Sequence, residues 1–162
     1  MTVIDVRKDP EHLAMTITAD FDAPVERVWQ VWADPRRLER WWGPPMYPAT
    51  FVDHDLTPGG RMSYFMTGPE GEKYHGWWVV RTVEAPNGFE FEDGFADDSG
   101  VPNSAMPITV TRVRLQARTD GGTTMTMLST FDSLSGMEQL VQMGMEEGIK
   151  LAIGQIDGVL AV

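Results

Sequence analysis

Two adjacent tryptophans, Trp41 and Trp42, end a helical segment that a proline has already broken, and this placement narrows the folds open to the chain. In FDAPVERVWQVWADPRRLERWW, residues 21–42, Asp22 is placed to cap a first helix and Pro24 suits its first position. Val25, Val28, Trp29 and Trp32 recur at the three- and four-residue spacing of a buried stripe. Asp34-Pro35 ends that helix. A second short helix runs through Leu38, and Gly43, Pro44 and Pro45 prevent its continuation beyond the tryptophan pair. Two indoles at a chain reversal need a large apolar concavity nearby.

Alternation supplies that concavity. Leu13, Met15, Ile17, Ala19 and Phe21 interleave with Ala14, Thr16, Thr18 and Asp20, the two-residue period of a half-buried strand. Six more strands are expected at 50–56, 61–67, 73–83, 89–95, 108–118 and 123–131, each bounded by turn-forming residues such as Thr57-Pro58-Gly59-Gly60, Ala85-Pro86-Asn87-Gly88 and Asp120-Gly121-Gly122. Seven strands in a meander, with no internal repeat and no linker, predict a single domain over 1–162 with its core at 12–161. The acidic stretch 97–107, with Gly100, Pro102 and Pro107, is long for a hairpin connection and is a candidate gate.

The chain closes on a predicted helix of some 26 residues at 136–161, with Ser135 three places before Glu138 in capping-box spacing. Met137, Leu140, Val141, Met145, Ile149, Ala152, Ile156, Val159 and Leu160 fall on or beside one face. Gly144 and Gly148 interrupt that face, and each interior glycine costs about 1 kcal/mol against alanine. Close approach of helix to sheet would explain them, and so would removal of side-chain volume where a ligand lies. The expected architecture is α+β: a curved, seven-stranded antiparallel sheet wrapped around a long C-terminal helix, with two short helices after the first strand.

Charge and composition exclude several functions. Thirteen basic against twenty-four acidic residues give a net charge of -11, which repels phosphate backbones and anionic headgroups, so no nucleic acid partner and no membrane insertion are expected. The absence of cysteine removes disulfides, thiolate metal sites and cysteine nucleophiles together. No stretch approaches the ~18 apolar residues of a membrane span. Residues 1–10 are charged and lack the apolar run of a signal peptide, so a cytoplasmic location is expected.

FDAPVERVWQVWADPRRLERWW, the following HDLTPGGR, the turn and strand GPEGEKYHGWW and the terminal MEQLVQMGMEEGIKLAIGQID together resemble the SRPBCC superfamily, which includes START-related lipid-transfer proteins and the birch pollen allergen. Within it the chain is similar to the subfamily homologous to the C-terminal domain of the activator of heat-shock protein 90 ATPase. The resemblance implies the helix-grip fold and a hydrophobic cavity, in members that bind lipids, sterols, polyketides or plant hormones, with a minority that catalyse cyclisation or hydrolysis. The co-chaperone works with an additional N-terminal domain, and only about ten residues precede the first strand here, so a chaperone partner is not expected. Ring-hydroxylating relatives carry an iron–sulfur domain whose ligands this sequence lacks. No cofactor and no metal are expected.

Strand parity names the candidate cavity wall. Met62, Tyr64 and Met66 share a face, as do Gly76, Trp78 and Val80, then Phe89, Phe91, Asp93 and Phe95, then Val52, His54 and Leu56. Trp41 and Trp42 would cover one end, and Met137, Leu140, Val141 and Met145, thinned by Gly144 and Gly148, would form the helical wall. Methionines and aromatics suit a pocket that adapts to apolar shapes, and each of them alone also suits an ordinary core. His54 and Asp93 are the acid–base candidates if both face inward. No catalytic motif is recognised, and His54, Asp55 and His75 lack metal-site spacing. Three functions stand open: binding of a small hydrophobic ligand, cofactor-independent catalysis (cyclase, hydrolase or dehydratase) in the same cavity, and a co-chaperone-like interaction protein. A homodimer through an edge strand or the exposed helix face is compatible with the pattern.

Overall fold

Eight strands form one curved antiparallel sheet in a computed structural model that describes residues 3–161. They are β1 (Val3–Asp9), β2 (Ala14–Phe21), β3 (Ala49–His54), β4 (Arg61–Thr67), β5 (Lys73–Glu84), β6 (Gly88–Ala96), β7 (Thr109–Ala117) and β8 (Thr123–Phe131), ordered β1-β2-β8-β7-β6-β5-β4-β3. The helices are α1 (Val25–Ala33), α2 (Pro35–Leu38), α3 (Leu134–Gln142), α4 (Met145–Ile153) and α5 (Ile156–Leu160). This is the α+β helix-grip arrangement, with one strand more than the seven expected. The extra strand is β1, which pairs with β2 after a short 3-10 turn at Pro10–His12. As an edge strand that is mostly exposed, it has no need of the long apolar run that marks the inner strands.

β2 buries every second residue from Met15 to Phe21, and β7 and β8 do the same, so the inner face of the sheet is written directly in the alternation. Two register shifts, between Phe51 and Asp53 and between Val80 and Thr82, bend the strands that carry them. The first also overturns the expected face of β3. Phe51 points inward and is 3% exposed, whereas Val52 is turned out at 66% exposure, and His54 returns to the inner side opposite Met62.

Helix ends also differ from the expected ones. Pro24 rather than Asp22 occupies the cap of α1, and the α1–α2 break falls at Asp34, whose carboxylate accepts from the Arg36 amide at 2.9 Å. The C-terminal helix is three helices rather than one. Ser133, not Ser135, caps α3 by accepting from the Gly136 amide at 3.0 Å. Gly144 sits at φ 90°, a left-handed conformation that terminates α3 and starts α4 in a new direction. Gly154 marks the second break, before α5. Arg27 of α1 donates to the Leu160 carbonyl, and Gln155 Nε2 donates to Gly43 O at 2.7 Å and Trp41 O at 3.3 Å, so the last helix is fastened to the tryptophan turn.

Beneath α1 and α5 the interior is solid. Trp32 packs against the rings of Trp41, Trp42, Trp78, Phe89 and Phe91, with the closest centroid at 4.7 Å. Trp78 stacks on Phe91 at 4.2 Å and crosses Trp42 edge-on at 4.8 Å. Burying side chains of this size stabilises the fold by roughly 1.5–3 kcal/mol or more each, and suitably offset ring pairs add about 0.5–1.5 kcal/mol. Two glycines make room for aromatics directly opposite them: Gly76 on β5 faces Tyr64 on β4, and Gly94 on β6 faces Trp77 on β5.

Candidate functional site

A cavity of about 250 Å³ opens between the sheet and the α3–α4 pair, beside the solid aromatic region. Its sheet side comes from β2, β6, β7 and β8: Ile17, Asp93, Phe95, Thr109, Thr111, Met127 and Ser129. Trp42 closes one side. Leu140, Met143, Gly144, Met145 and Ile149 form the helical wall, and the cavity meets the surface where Met143 and Gly144 are exposed. Lys8 of β1 pairs with Glu146 at 3.4 Å and holds the start of α4 against the sheet.

The polar groups of this cavity lie together on the sheet. Asp93 is the register partner of Thr109 across β6 and β7, and Thr111 is the partner of Ser129 across β7 and β8. The Thr111 and Ser129 hydroxyls are 3.1 Å apart and hydrogen-bonded. Asp93 is half-buried and desolvated where it lines the cavity, and among the described residues no side chain or amide donates to its carboxylate. That desolvation pushes its carboxyl up to about 7. Tyr64, also half-buried, has its hydroxyl pushed well above the usual phenol range by desolvation and then by the charge of Asp93. The indoles of Trp42 and Trp78 lie near enough to oppose this shift, although their N–H groups complete no hydrogen bond of normal geometry.

Of the residues that sequence parity put on the cavity, Trp42, Asp93, Phe95, Leu140, Gly144 and Met145 line it together. Trp41, Trp78 and Phe91 belong instead to the solid aromatic cluster, where Trp41 Nε1 donates to Val31 O at 2.8 Å. Met62 is buried opposite Trp78, Met66 packs half-buried at the cluster margin, and Tyr64 stacks on Phe51 at 5.0 Å. Met137 and Val141 line a separate groove with Lys8, Pro10 and Leu134. A Cβ on Gly148 would meet nothing within 4 Å, so this glycine neither admits a close strand nor thins a packed wall.

His54 and Asp93 do not meet. Two strands separate them, and His54 Nε2 donates to the Trp32 carbonyl at 3.1 Å, satisfying a free acceptor near the end of α1. The acidic group paired electrostatically with Asp93 is Tyr64. Parity also passed over Thr109, Thr111 and Ser129, and the available signal was the hydroxyl residue at inward positions of strands whose other inward residues are Val113, Leu115, Met125 and Met127.

The 97–107 segment walls a different space. Asp98, Ser99, Gly100 and Pro102 border a groove of about 480 Å³ on the outer side of β4 and β5, beside Phe65, His75 and Trp77. Only its far end reaches the helices, where Gln139 Nε2 contacts Met106 Sδ at 3.9 Å. No helix among the described residues is long and apolar enough to cross a membrane. One group of metal-type donors, the exposed Asp9, Glu11 and His12, gathers at the β1–β2 turn, where Asp9 caps the 3-10 turn and binds His12 Nδ1 at 2.7 Å.

Similarity to solved structures follows the whole fold. Protein Ms6760 from Mycobacterium smegmatis is 50% identical, with a TM-score of 0.90 over 98% of this chain and 97% of that one. A protein from Arthrobacter aurescens is 52% identical, with a TM-score of 0.93 over 97% of this chain and 91% of that one. The AHSA1 protein from Silicibacter pomeroyi shares the fold at 20% identity, with a TM-score of 0.72 over 91% and 97% of the two chains. Comparison with curated proteins gave no match. The model of the activator of Hsp90 ATPase homolog 1-like family, AHSA1, matches residues 22–161, and the chain belongs to that family.

Proposed function

We propose that the protein binds a small, mainly apolar molecule in the cavity beneath α3 and α4. The observation that carries this reading is the cavity itself: space left open inside the fold, with apolar walls and a short row of polar groups on one side. Ile17, Met127, Leu140, Met145 and Ile149 would supply affinity by removing ligand surface from water. Asp93, Thr109, Thr111 and Ser129 would fix its orientation. A volume of about 250 Å³ favours a ligand smaller than those of the roughly 300–1,000 Å³ pockets that take drug-sized molecules. Native mass spectrometry of the purified protein, with solvent extraction, tests this: a reproducible bound mass is expected, lost when Ile149→Trp fills the space. Equal retention by both proteins would remove the cavity from the account.

A second reading is supported by Asp93 alone. A carboxyl that titrates near neutral pH on a cavity wall suits a general acid–base group, and a cofactor-independent cyclase, hydrolase or dehydratase needs little more than that and a shaped cavity. Turnover of a screened compound that disappears in Asp93→Asn would place catalysis ahead of carriage. Retention of an unchanged molecule, with no turnover, favours the carrier.

A further inference from the structure

We propose that the cavity selects amines: a compact apolar or aromatic body bearing one protonated nitrogen, paired with Asp93 and flanked by Trp42 and Phe95. This rests on the cavity being a binding site, and it goes further by fixing the charge of what enters.

Among the described residues Asp93 is the sole ionisable one lining the space, and no lysine, arginine or histidine joins it there. A fatty acid or a phosphorylated ligand would therefore bring its negative charge to a wall that holds only another, with no cation to offset either. A neutral ligand would leave the carboxylate desolvated without a counter-charge at alkaline pH. An ammonium group answers both conditions. The aromatic residues Trp42 and Phe95 line the same cavity, and a carboxylate together with aromatic rings is a set by which organic ammonium groups are held. The net charge of -11 acts in the same direction by drawing cations towards the molecule. The hydroxyls of Thr109, Thr111 and Ser129 can accept the remaining ammonium protons.

The arrangement also accounts for a cost in the fold. Among the described residues no group donates to the half-buried Asp93 carboxylate, so within the fold its charge has no partner. A ligand that pairs with it gives the residue a use.

Two probes of like shape separate charge from shape. Isothermal titration of the full chain at pH 8 with 2-phenylethylamine and with 2-phenylethanol should show the amine bound at least about tenfold more tightly. In Asp93→Asn that preference should collapse, so that the two probes bind alike, with circular dichroism reporting the fold of the variant. A second measurement needs no variant: amine affinity for the wild-type protein should rise from pH 6 to pH 8 as Asp93 ionises, with no such rise for the alcohol. Tyr64 on β4 is the other titratable group near Asp93 and stays protonated across that range, while β7, β8, α3 and α4 place no charged side chain on the cavity. Glu146 of α4 is engaged by Lys8. Equal affinities, preference for the alcohol, a preference that survives in Asp93→Asn, or binding of neither probe would each overturn the amine assignment. The cavity reading is judged separately, by the retained mass and its loss in Ile149→Trp.

Discussion

The ring of Tyr64 fills the place of a side chain at Gly76: a Cβ on Gly76 would lie 2.4 Å from both Cζ and Oη of the tyrosine directly across the β4–β5 pair. The absent side chain is therefore what lets Tyr64 lie across β5, between Phe51 and Trp42 and close to the charge of Asp93. Gly76→Ala should displace the ring and cost about 1–3 kcal/mol in chemical denaturation. It should also bring the phenol titration back towards its ordinary range, read by ultraviolet difference absorbance. Unchanged stability together with an unchanged phenol titration would show that Tyr64 does not depend on this notch.

Asp93 gives the stability of the protein a pH dependence of defined sign. Its folded-state carboxyl lies at about 7 against 3.8 for the free group, so the folded protein holds this proton more tightly than the unfolded chain. The associated stability is complete below about pH 4 and is lost as pH rises through 7, at about 1.4 kcal/mol per pH unit between those limits. Other groups titrate over the same range, so the difference between the wild-type protein and Asp93→Asn isolates the effect. The variant should gain stability relative to wild type from pH 5 to pH 8 in urea melts. A difference independent of pH would mean that Asp93 is not desolvated.

Gly144 and Gly148 should respond oppositely to alanine. Gly148 lies inside α4 with open space where its Cβ would stand, so Gly148→Ala should stabilise by up to about 1 kcal/mol through helix propensity. Gly144→Ala meets no steric obstacle either, but it must adopt φ 90° and should cost about 1–2 kcal/mol. Thermal unfolding of the two variants checks the signs. If Gly148→Ala keeps the ligand mass while raising the melting temperature, that glycine has no part in making room for it.

The strands were legible wherever one face is buried, because Met15 to Phe21 and Thr123 to Phe131 must alternate to serve a two-sided sheet. β1 was not, since an exposed edge strand places little apolar demand on its residues. The faces on β3 were lost for a different reason. A one-residue register shift after Phe51 reverses parity without any glycine or proline to announce it, and it carries His54 to the Trp32 carbonyl. The aromatic residues misled in bulk: Trp78 and Phe91 have the chemistry of a pocket and the position of a core, and only their mutual contacts distinguish the two. Inward hydroxyls on β7 and β8 were the more specific sign of the cavity, because a strand that buries Thr109, Thr111 and Ser129 among valines and methionines departs from the apolar inner face expected of a packed interior.

The crowding of indoles and phenyl rings around Trp32, set apart from the open space under α3 and α4, leaves the packing of the core and the wall of the cavity to different amino acids. Exchanges at Thr109, Ser129 or Ile149 would alter the shape and polarity of that space while the tryptophan lattice goes on holding the polypeptide together. A lineage built on this plan is free to vary that hollow at little risk to its architecture.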